Sequence, residues 1–317
     1  MPENEVLLQC QGLVKEFRTR SGVVHAVSGV DLTLYKGETL ALVGESGCGK
    51  STLGRLILGL IKATAGRIEY KDMDLTSLSS KEYRKIRSNI QCIFQDPYGS
   101  LDPRISVSNT IQEPLKINKR GSRAEQELRV EELLKTVGIP VEYKNRFPHQ
   151  FSGGQRQRIC IARALALNPE LIICDEPVSA LDVSIQAQVL NLLADLQEEL
   201  GLTYLFISHD LNVVRRISNR VYIMYLGKVC ESGETESIFS HPMHPYTRFL
   251  LSAVPVTDPS DRSESKEIIS GDLPSPITPP KGCRFHTRCP YATAECREKE
   301  PEARMIDGHQ VFCHHPL

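Results

Sequence analysis

The residues Gly44-Glu45-Ser46-Gly47-Cys48-Gly49-Lys50-Ser51 follow the pattern G-x-x-x-x-G-K-[ST]. Glycines let a backbone curl until successive N–H groups point at one cluster of phosphate oxygens. A helix beginning at Lys50 would add the positive end of its dipole. Lys50 is placed to reach the β and γ phosphates, and the Ser51 hydroxyl to ligate Mg²⁺. The nucleotide-contacting stretch is expected to be Ser46, Gly47, Cys48, Gly49, Lys50, Ser51 and Thr52. Taken alone, this loop implies a nucleoside triphosphate and nothing narrower.

Two further clusters carry chemistry. Leu171-Ile172-Ile173-Cys174-Asp175-Glu176-Pro177 is an apolar run ending in two carboxylates. Asp175, at the end of the strand, suits a Mg²⁺ contact. Glu176 can accept a proton from a water lined up behind the γ-phosphate. In Phe151-Ser152-Gly153-Gly154-Gln155, a serine and two glycines open a second helix, which continues through Gln157, Ile159, Ile161 and Ala162. One chain then offers two anion-binding helix starts, which are not expected to reach the same phosphate within a monomer.

With these residues in order, the sequence resembles the ATP-binding subunit of an ATP-binding-cassette (ABC) transporter. The resemblance covers about residues 6–255. It implies that Ser152, Gly153, Gly154 and Gln155 cap the ATP held by a partner's phosphate loop, so that two cassettes sandwich two nucleotides head to tail. Phe17 matches the aromatic that stacks on adenine. Gln95, in Phe94-Gln95-Asp96-Pro97, matches the loop glutamine that senses Mg²⁺ and the membrane subunit. Mg²⁺ would then lie among Ser51, Gln95 and Asp175. Ser179-Ala180-Leu181-Asp182 matches the loop that crosses the dimer interface at Asp182, and His209 matches the switch histidine that acts with Glu176 in catalysis. Phe151 stands where leucine is usual; both are apolar anchors of a helix entry.

Two segments resemble the dipeptide and oligopeptide importer branch, which also includes nickel importers. They are Phe94 to Arg104, running on to Glu113-Pro114-Leu115, and His244-Pro245-Tyr246 through Pro255. Gly271-Asp272-Leu273-Pro274-Ser275-Pro276 followed by Gly282-Cys283 resembles the second of the two ATPases that such importers carry. The implied partners are a paralogous ATPase in a heterodimer (a homodimer being the variant), two membrane-spanning permease subunits and an external binding protein. The stretch Gln95–Arg104 would lie against a permease helix. The implied place is the cytoplasmic face of a membrane, and nucleic acid is not an expected partner. A soluble ABC protein acting on ribosomes or DNA would usually carry two cassettes or a long coiled-coil insertion, and neither occurs here. A degenerate regulatory cassette is disfavoured by intact Lys50, Asp175, Glu176 and His209.

The cysteines divide into two groups. Six are scattered from Cys10 to Cys230, with Cys92, Cys160 and Cys174 in runs that read as strands, and, Cys48 of the phosphate loop excepted, they are expected to pack as small apolar residues. Cys283, Cys289, Cys296 and Cys313 are spaced C-x5-C-x6-C-x16-C. Structural zinc sites usually use C-x2–4-C knuckles, whereas a cubane iron–sulfur cluster takes four thiolates at wider corners. A reducing compartment disfavours disulfides. The tail resembles the C-terminal segment of peptide-importer ATPases, some of which hold a 4Fe–4S cluster, and Cys289-Pro290 resembles the Cys-Pro step beside such clusters. Zinc stays open, with His286, His314 and His315 as spare ligands.

The elements that must position these groups alternate strand and helix. Leu40–Val43, Leu171–Cys174 and Thr203–Ile207 read as buried strands; Leu53, Leu56, Ile57 and Leu60, and Val189, Leu192, Leu193 and Leu196, read as helix faces. The expected fold is α/β. It is a P-loop NTPase cassette with a parallel-sheet core, an antiparallel β subdomain and a helical subdomain, followed by a small irregular metal-cluster tail. The expected boundaries are 1–255 for the cassette, about 79–165 for its helical subdomain, 256–280 for a proline-rich linker and 281–317 for the tail. With 38 basic and 39 acidic residues, the net charge of −1 gives no global pull toward nucleic acid or an anionic membrane. The start, Met1-Pro2-Glu3-Asn4-Glu5, lacks the basic-then-apolar pattern of a signal peptide. No apolar run approaches the ~20 residues of a membrane span.

Overall fold

The structure, a computed structural model, describes residues 5–253 and 273–317. Most of the expected linker, and the Gly271-Asp272 step, lie outside the described residues. The chain forms two compact units: residues 5–77 with 206–253 and 273–317, and Leu78–Leu205.

The first unit holds the expected antiparallel subdomain. Strands Val6–Thr19 and Gly22–Tyr35 form a long ribbon, and Ala65–Tyr70 and Met73–Asp74 extend it to four strands. Cys10 lies opposite Leu32 on one side and Ile68 on the other, and all three are buried. This cysteine is a packing residue; burial pushes its thiol up to about 12. In the same unit, the fully buried strand Thr39–Val43 runs parallel to Arg220–Tyr225. Antiparallel to the latter lies Lys228–Glu234.

The cysteine-rich tail belongs to this unit and is more regular than expected. His309–Val311 pairs with Lys228–Glu234, and Arg304–Ile306 pairs with His309–Val311. Asp307 and Gly308 connect these two strands with φ of 46° and 84°. Two successive positive φ values make the mirror-image turn that matches strand twist, and Asp-Gly is a preferred pair for it. The tail docks through Glu231, whose buried carboxylate accepts from the Met243 and His244 N–H groups, both at 2.9 Å, and lies 2.8 Å from His309 Nδ1. A buried carboxylate is tolerated only when its oxygens are satisfied in this way. Upstream, the Pro276 carbonyl accepts from the His25 N–H at 3.0 Å, so the chain already lies along the ribbon before the tail begins.

In the second unit, strands Ile90–Ile93 and Leu171–Asp175 pair in parallel. Helices Ser80–Ile86, Val107–Ile117, Arg123–Thr136, Gly153–Leu165 and Val183–Leu200 accompany them. Three of these helices start with a reciprocal capping box, Ser79 with Glu82, Ser122 with Glu125 and Ser152 with Gln155. The stretch after Ser79, read as helical, also contains the strand Ile90–Ile93, because Ile90 and Ile93 bury against a neighbour that the local sequence does not name. Cys160, read as strand, lies in the helix Gly153–Leu165; Ile159, Cys160 and Ile161 are all buried, and a continuous apolar run does not reveal its period. The helix after Lys50 ends at Ile57, Gly59 turns out of it at φ 60°, and Leu60 is exposed.

Candidate functional site

The phosphate loop joins the buried strand Thr39–Val43 to the helix Lys50–Ile57. Gly49 caps that helix with φ 107°, and a Cβ there would come within 2.1 Å of the Ala26 carbonyl oxygen. No other residue fits this position. The Cys48 carbonyl accepts from the Gly227 N–H at 2.8 Å, which anchors the far side of the loop. Lys50 is buried, and its Nζ donates to the Gly44 and Glu45 carbonyls at 2.7 and 3.0 Å. The ammonium thus lies over the loop, where it would meet phosphate. Burial raises the Cys48 thiol, against a smaller opposing pull from Lys50, so it is not a reactive thiolate.

In the same unit, His209 follows the buried strand Thr203–Ser208 and is exposed. Asp210 caps the next helix, accepting from the Asn212 and Val213 N–H groups. Phe17 is 36% exposed on the ribbon, with Lys15 Nζ 4.8 Å from its ring centre. The ring is part-exposed, with the Lys15 ammonium over it.

The second unit brings two of the expected site residues into contact. Gln95 Nε2 donates to Glu176 Oε2 at 2.8 Å, across parallel strands whose register pairs Ile93 with Cys174. Glu176 has φ 49°, a left-handed conformation that costs a non-glycine residue about 1–3 kcal/mol. The turn therefore aims the carboxylate away from the strand direction that Asp175 keeps.

The second helix start is self-capped. Ser152 Oγ accepts from the Gln155 N–H at 3.3 Å, and Gln155 Oε1 accepts from the Ser152 N–H at 3.1 Å. A Cβ on Gly154 would fall 2.4 Å from the Ile185 Cγ2, and one on Gly153 would lie 3.4 Å from the Leu181 Cδ2. The two glycines thus let this helix start pack against the turn around Asp182. Gln186 Nε2 holds that turn by donating to the Val178 and Leu181 carbonyls at 3.1 and 3.0 Å. Asp182 begins the helix Val183–Leu200, and Val183 is 81% exposed. Phe151 is buried edge-on to Tyr143 at 6.2 Å, in the anchoring role expected of leucine. In the stretch Phe94–Arg104, Phe94 and Tyr98 are exposed, and the Arg156 guanidinium lies 3.7 Å over the Tyr98 ring.

Cys283, Cys289, Cys296 and Cys313 are free thiols, and all four line one small cavity with His286, His314 and His315. Burial pushes the thiols of Cys283 and Cys313 up to about 11 and also raises Cys289. Backbone N–H groups two residues on, from Phe285, Tyr291 and His315, oppose that shift at Cys283, Cys289 and Cys313 in turn. Among the described residues, no group of three or more His, Cys, Asp or Glu side chains is arranged to hold a metal ion. The expected metal-binding tail therefore has a shared cavity and free thiols, without converged ligands.

Comparison with known proteins decides the family. The "ABC transporter" profile matches residues 27–179, and the "Oligopeptide/dipeptide transporter, C-terminal region" profile matches 230–296. The chain is 53% identical to the oligopeptide transport ATP-binding protein AppF of Bacillus subtilis, over 98% of this chain and 97% of that one. The chain belongs to the ATP-binding subunits of ABC transporters. It is 50% identical to the oligopeptide transport protein OppF of Salmonella typhimurium over 98% of its length, and 49% identical to the dipeptide transport protein DppF of Haemophilus influenzae over 99%. Among solved structures, the dimeric ATP-binding cassette MJ0796, in a post-hydrolysis state with ADP and Pi, aligns with a TM-score of 0.66 at 33% identity. That alignment covers 72% of this chain and 99% of MJ0796.

As a member of this family, the chain is an ATPase. Sequence reasoning missed the contacts that hold its phosphate loop from a distance. Tyr246 Oη accepts from the Glu45 N–H at 3.0 Å, and Arg288 forks onto the Glu45 carboxylate at 2.8 and 3.1 Å. No local pattern announces either, since the partners lie some two hundred residues apart. The capping box at Ser152 was legible as S-x-x-Q.

Proposed function

We propose that this chain hydrolyses ATP to drive import of oligopeptides or dipeptides through a membrane transporter, working at the cytoplasmic face. The observation that carries this reading is end-to-end similarity to oligopeptide and dipeptide transport ATP-binding proteins, with every cassette motif present in order. No helix among the described residues is long and apolar enough to cross a membrane, so the channel would belong to two permease subunits. An external binding protein would deliver the cargo.

In this reading Ser46, Gly47, Cys48, Gly49, Lys50, Ser51 and Thr52 hold the phosphates, and Phe17 stacks on adenine. Ser51, Gln95 and Asp175 offer a hydroxyl, an amide oxygen and a carboxylate, the oxygen-only set suited to Mg²⁺. When bound, Mg²⁺ neutralises phosphate charge. Glu176 takes the proton of the attacking water, and His209 positions the γ-phosphate end of the site. The contact from Gln95 to Glu176 orients the base. Ser152, Gly153, Gly154 and Gln155 cap the ATP of a partner ATPase, a paralogue or a second copy, and the turn at Asp182 crosses between the two. The exposed stretch around Tyr98 passes the motion to a permease.

The tail thiols fit a 4Fe–4S cluster in their chemistry. Four free cysteines share one cavity, and three of them have a backbone N–H placed to favour thiolate. Bound there, the cluster would cross-link four points of a 35-residue segment. Zinc is the lesser fit, because a single tetrahedral ion needs sulfurs converging at ~2.3 Å.

The decisive experiment is a pull-down of the tagged chain from detergent-solubilised membranes, followed by peptide uptake in reconstituted vesicles. Permeases should co-purify and uptake should require ATP. Recovery of ribosomes or nucleic acid without permeases would overturn the reading.

A further inference from the structure

A carboxylate inside a phosphate-binding loop is a charge out of place. Glu45 is the second residue of the loop, and its own negative charge opposes the triphosphate the loop must accept. The structure answers that charge from the far end of the chain. Arg288 places one guanidinium nitrogen on each Glu45 oxygen, and the pair is only 10% and 24% exposed. Partial burial of this kind makes an ion pair less screened by salt than a surface pair. The planar fork fixes direction as well as charge.

The support beneath Arg288 is rigid. Its N–H donates to the Phe285 carbonyl at 3.0 Å. Phe285 is 1% exposed and meets the rings of Tyr225 and Tyr246 at 5.3 Å each. Tyr225 and Tyr246 meet each other at 4.7 Å, and the Tyr246 hydroxyl accepts from the Glu45 N–H. Glu45 is therefore held at its side chain and its N–H by the C-terminal part of the chain, while its carbonyl accepts from Lys50. Cys283 and Cys289, on either side of Phe285 and Arg288, pack on the same core.

We propose that Arg288 is a positioning residue for ATP binding: from the C-terminal tail it neutralises Glu45 and fixes the phosphate loop in its receptive form. The tail is then a working part of the nucleotide site in the same chain. This rests on the assignment of Gly44–Ser51 as the phosphate loop. A preorganised loop spends less of its binding energy on ordering, so the effect falls on affinity more than on the chemical step.

The test is equilibrium ATP binding to the full-length subunit, with KM and kcat measured in the assembled transporter. Arg288→Ala should raise Kd and KM about tenfold and leave kcat within about twofold. Arg288→Lys should raise them about threefold, because an ammonium cannot fork onto both oxygens. Adding Glu45→Gln to Arg288→Ala should restore most of the affinity, since the charge that needed neutralising is gone. A mere folding defect would not be rescued this way. Unchanged Kd in Arg288→Ala, or lost affinity that Glu45→Gln fails to restore, would overturn the proposal. Lys50→Ala separates the two readings. If it binds ATP normally, the phosphate-loop assignment is wrong. If it loses ATP while Arg288→Ala does not, only the role of Arg288 is wrong.

Discussion

The two helix starts proposed to handle phosphate are held in opposite ways. The loop at Gly44–Ser51 is fixed from afar, by Gly227, Tyr246 and Arg288. The start at Ser152–Gln155 is fixed by itself and its neighbourhood, through its capping box and the fit of Gly154 against Ile185. In the proposed mechanism the first keeps its own nucleotide and the second closes on that of a partner. A loop that holds a ligand throughout the cycle gains from being tied to the core. A cap that engages and withdraws needs only local order.

Four experiments bear on that contrast. The largest effect belongs to Glu176, the proposed general base: Glu176→Gln should keep ATP binding and lower turnover of the assembled transporter by ~10²-fold, the scale of a lost general base. Near-normal phosphate release would remove Glu176 from its role. Next comes Gly154→Ala. Its Cβ collides with Ile185, so ATPase of the assembled transporter should fall about tenfold or more, with ATP affinity of the isolated chain unchanged. A loss of affinity in the isolated chain would show that the two starts are not separate. Ser152→Ala removes the cap acceptor and should cost about 1 kcal/mol, roughly fivefold in the unfolding equilibrium, read from urea denaturation. An unchanged midpoint would mean that the capping box does not hold this start. The smallest effect concerns the tail. Anaerobically purified protein should be brown with ~4 Fe per chain, and Cys313→Ala should lower that at least about twofold. Colourless protein carrying zinc would replace the cluster by an ion.

The local features were the readable ones. Lys50 announces itself because strand, glycine turn and helix start follow each other within a few residues, Asp175 and Glu176 because they end an apolar run, and Ser152–Gln155 because a serine and two glycines open a helix. The buried strands at Leu40, Leu171 and Thr203 were readable from their apolar runs. Cys160 was misplaced because a run of buried apolar residues within a helix looks like a strand. The Asp307-Gly308 hairpin carries a legible turn signal, because Asp-Gly is a preferred pair for it. The bond between Arg288 and Glu45 was not legible at all, since nothing near either residue encodes the other.

The short hairpin at the end of the chain also bears on how the protein survives in a crowded cell. His309–Val311 occupies the flank of Lys228–Glu234, whose backbone would otherwise present an open row of donors and acceptors to any passing chain. The new outer strand, Arg304–Ile306, is only three residues long and carries a charge at its start, a poor template for further growth. Clipping the chain ahead of this hairpin would uncover a sticky border and leave Glu231 without His309. Such a fragment should precipitate before its catalysis could be measured.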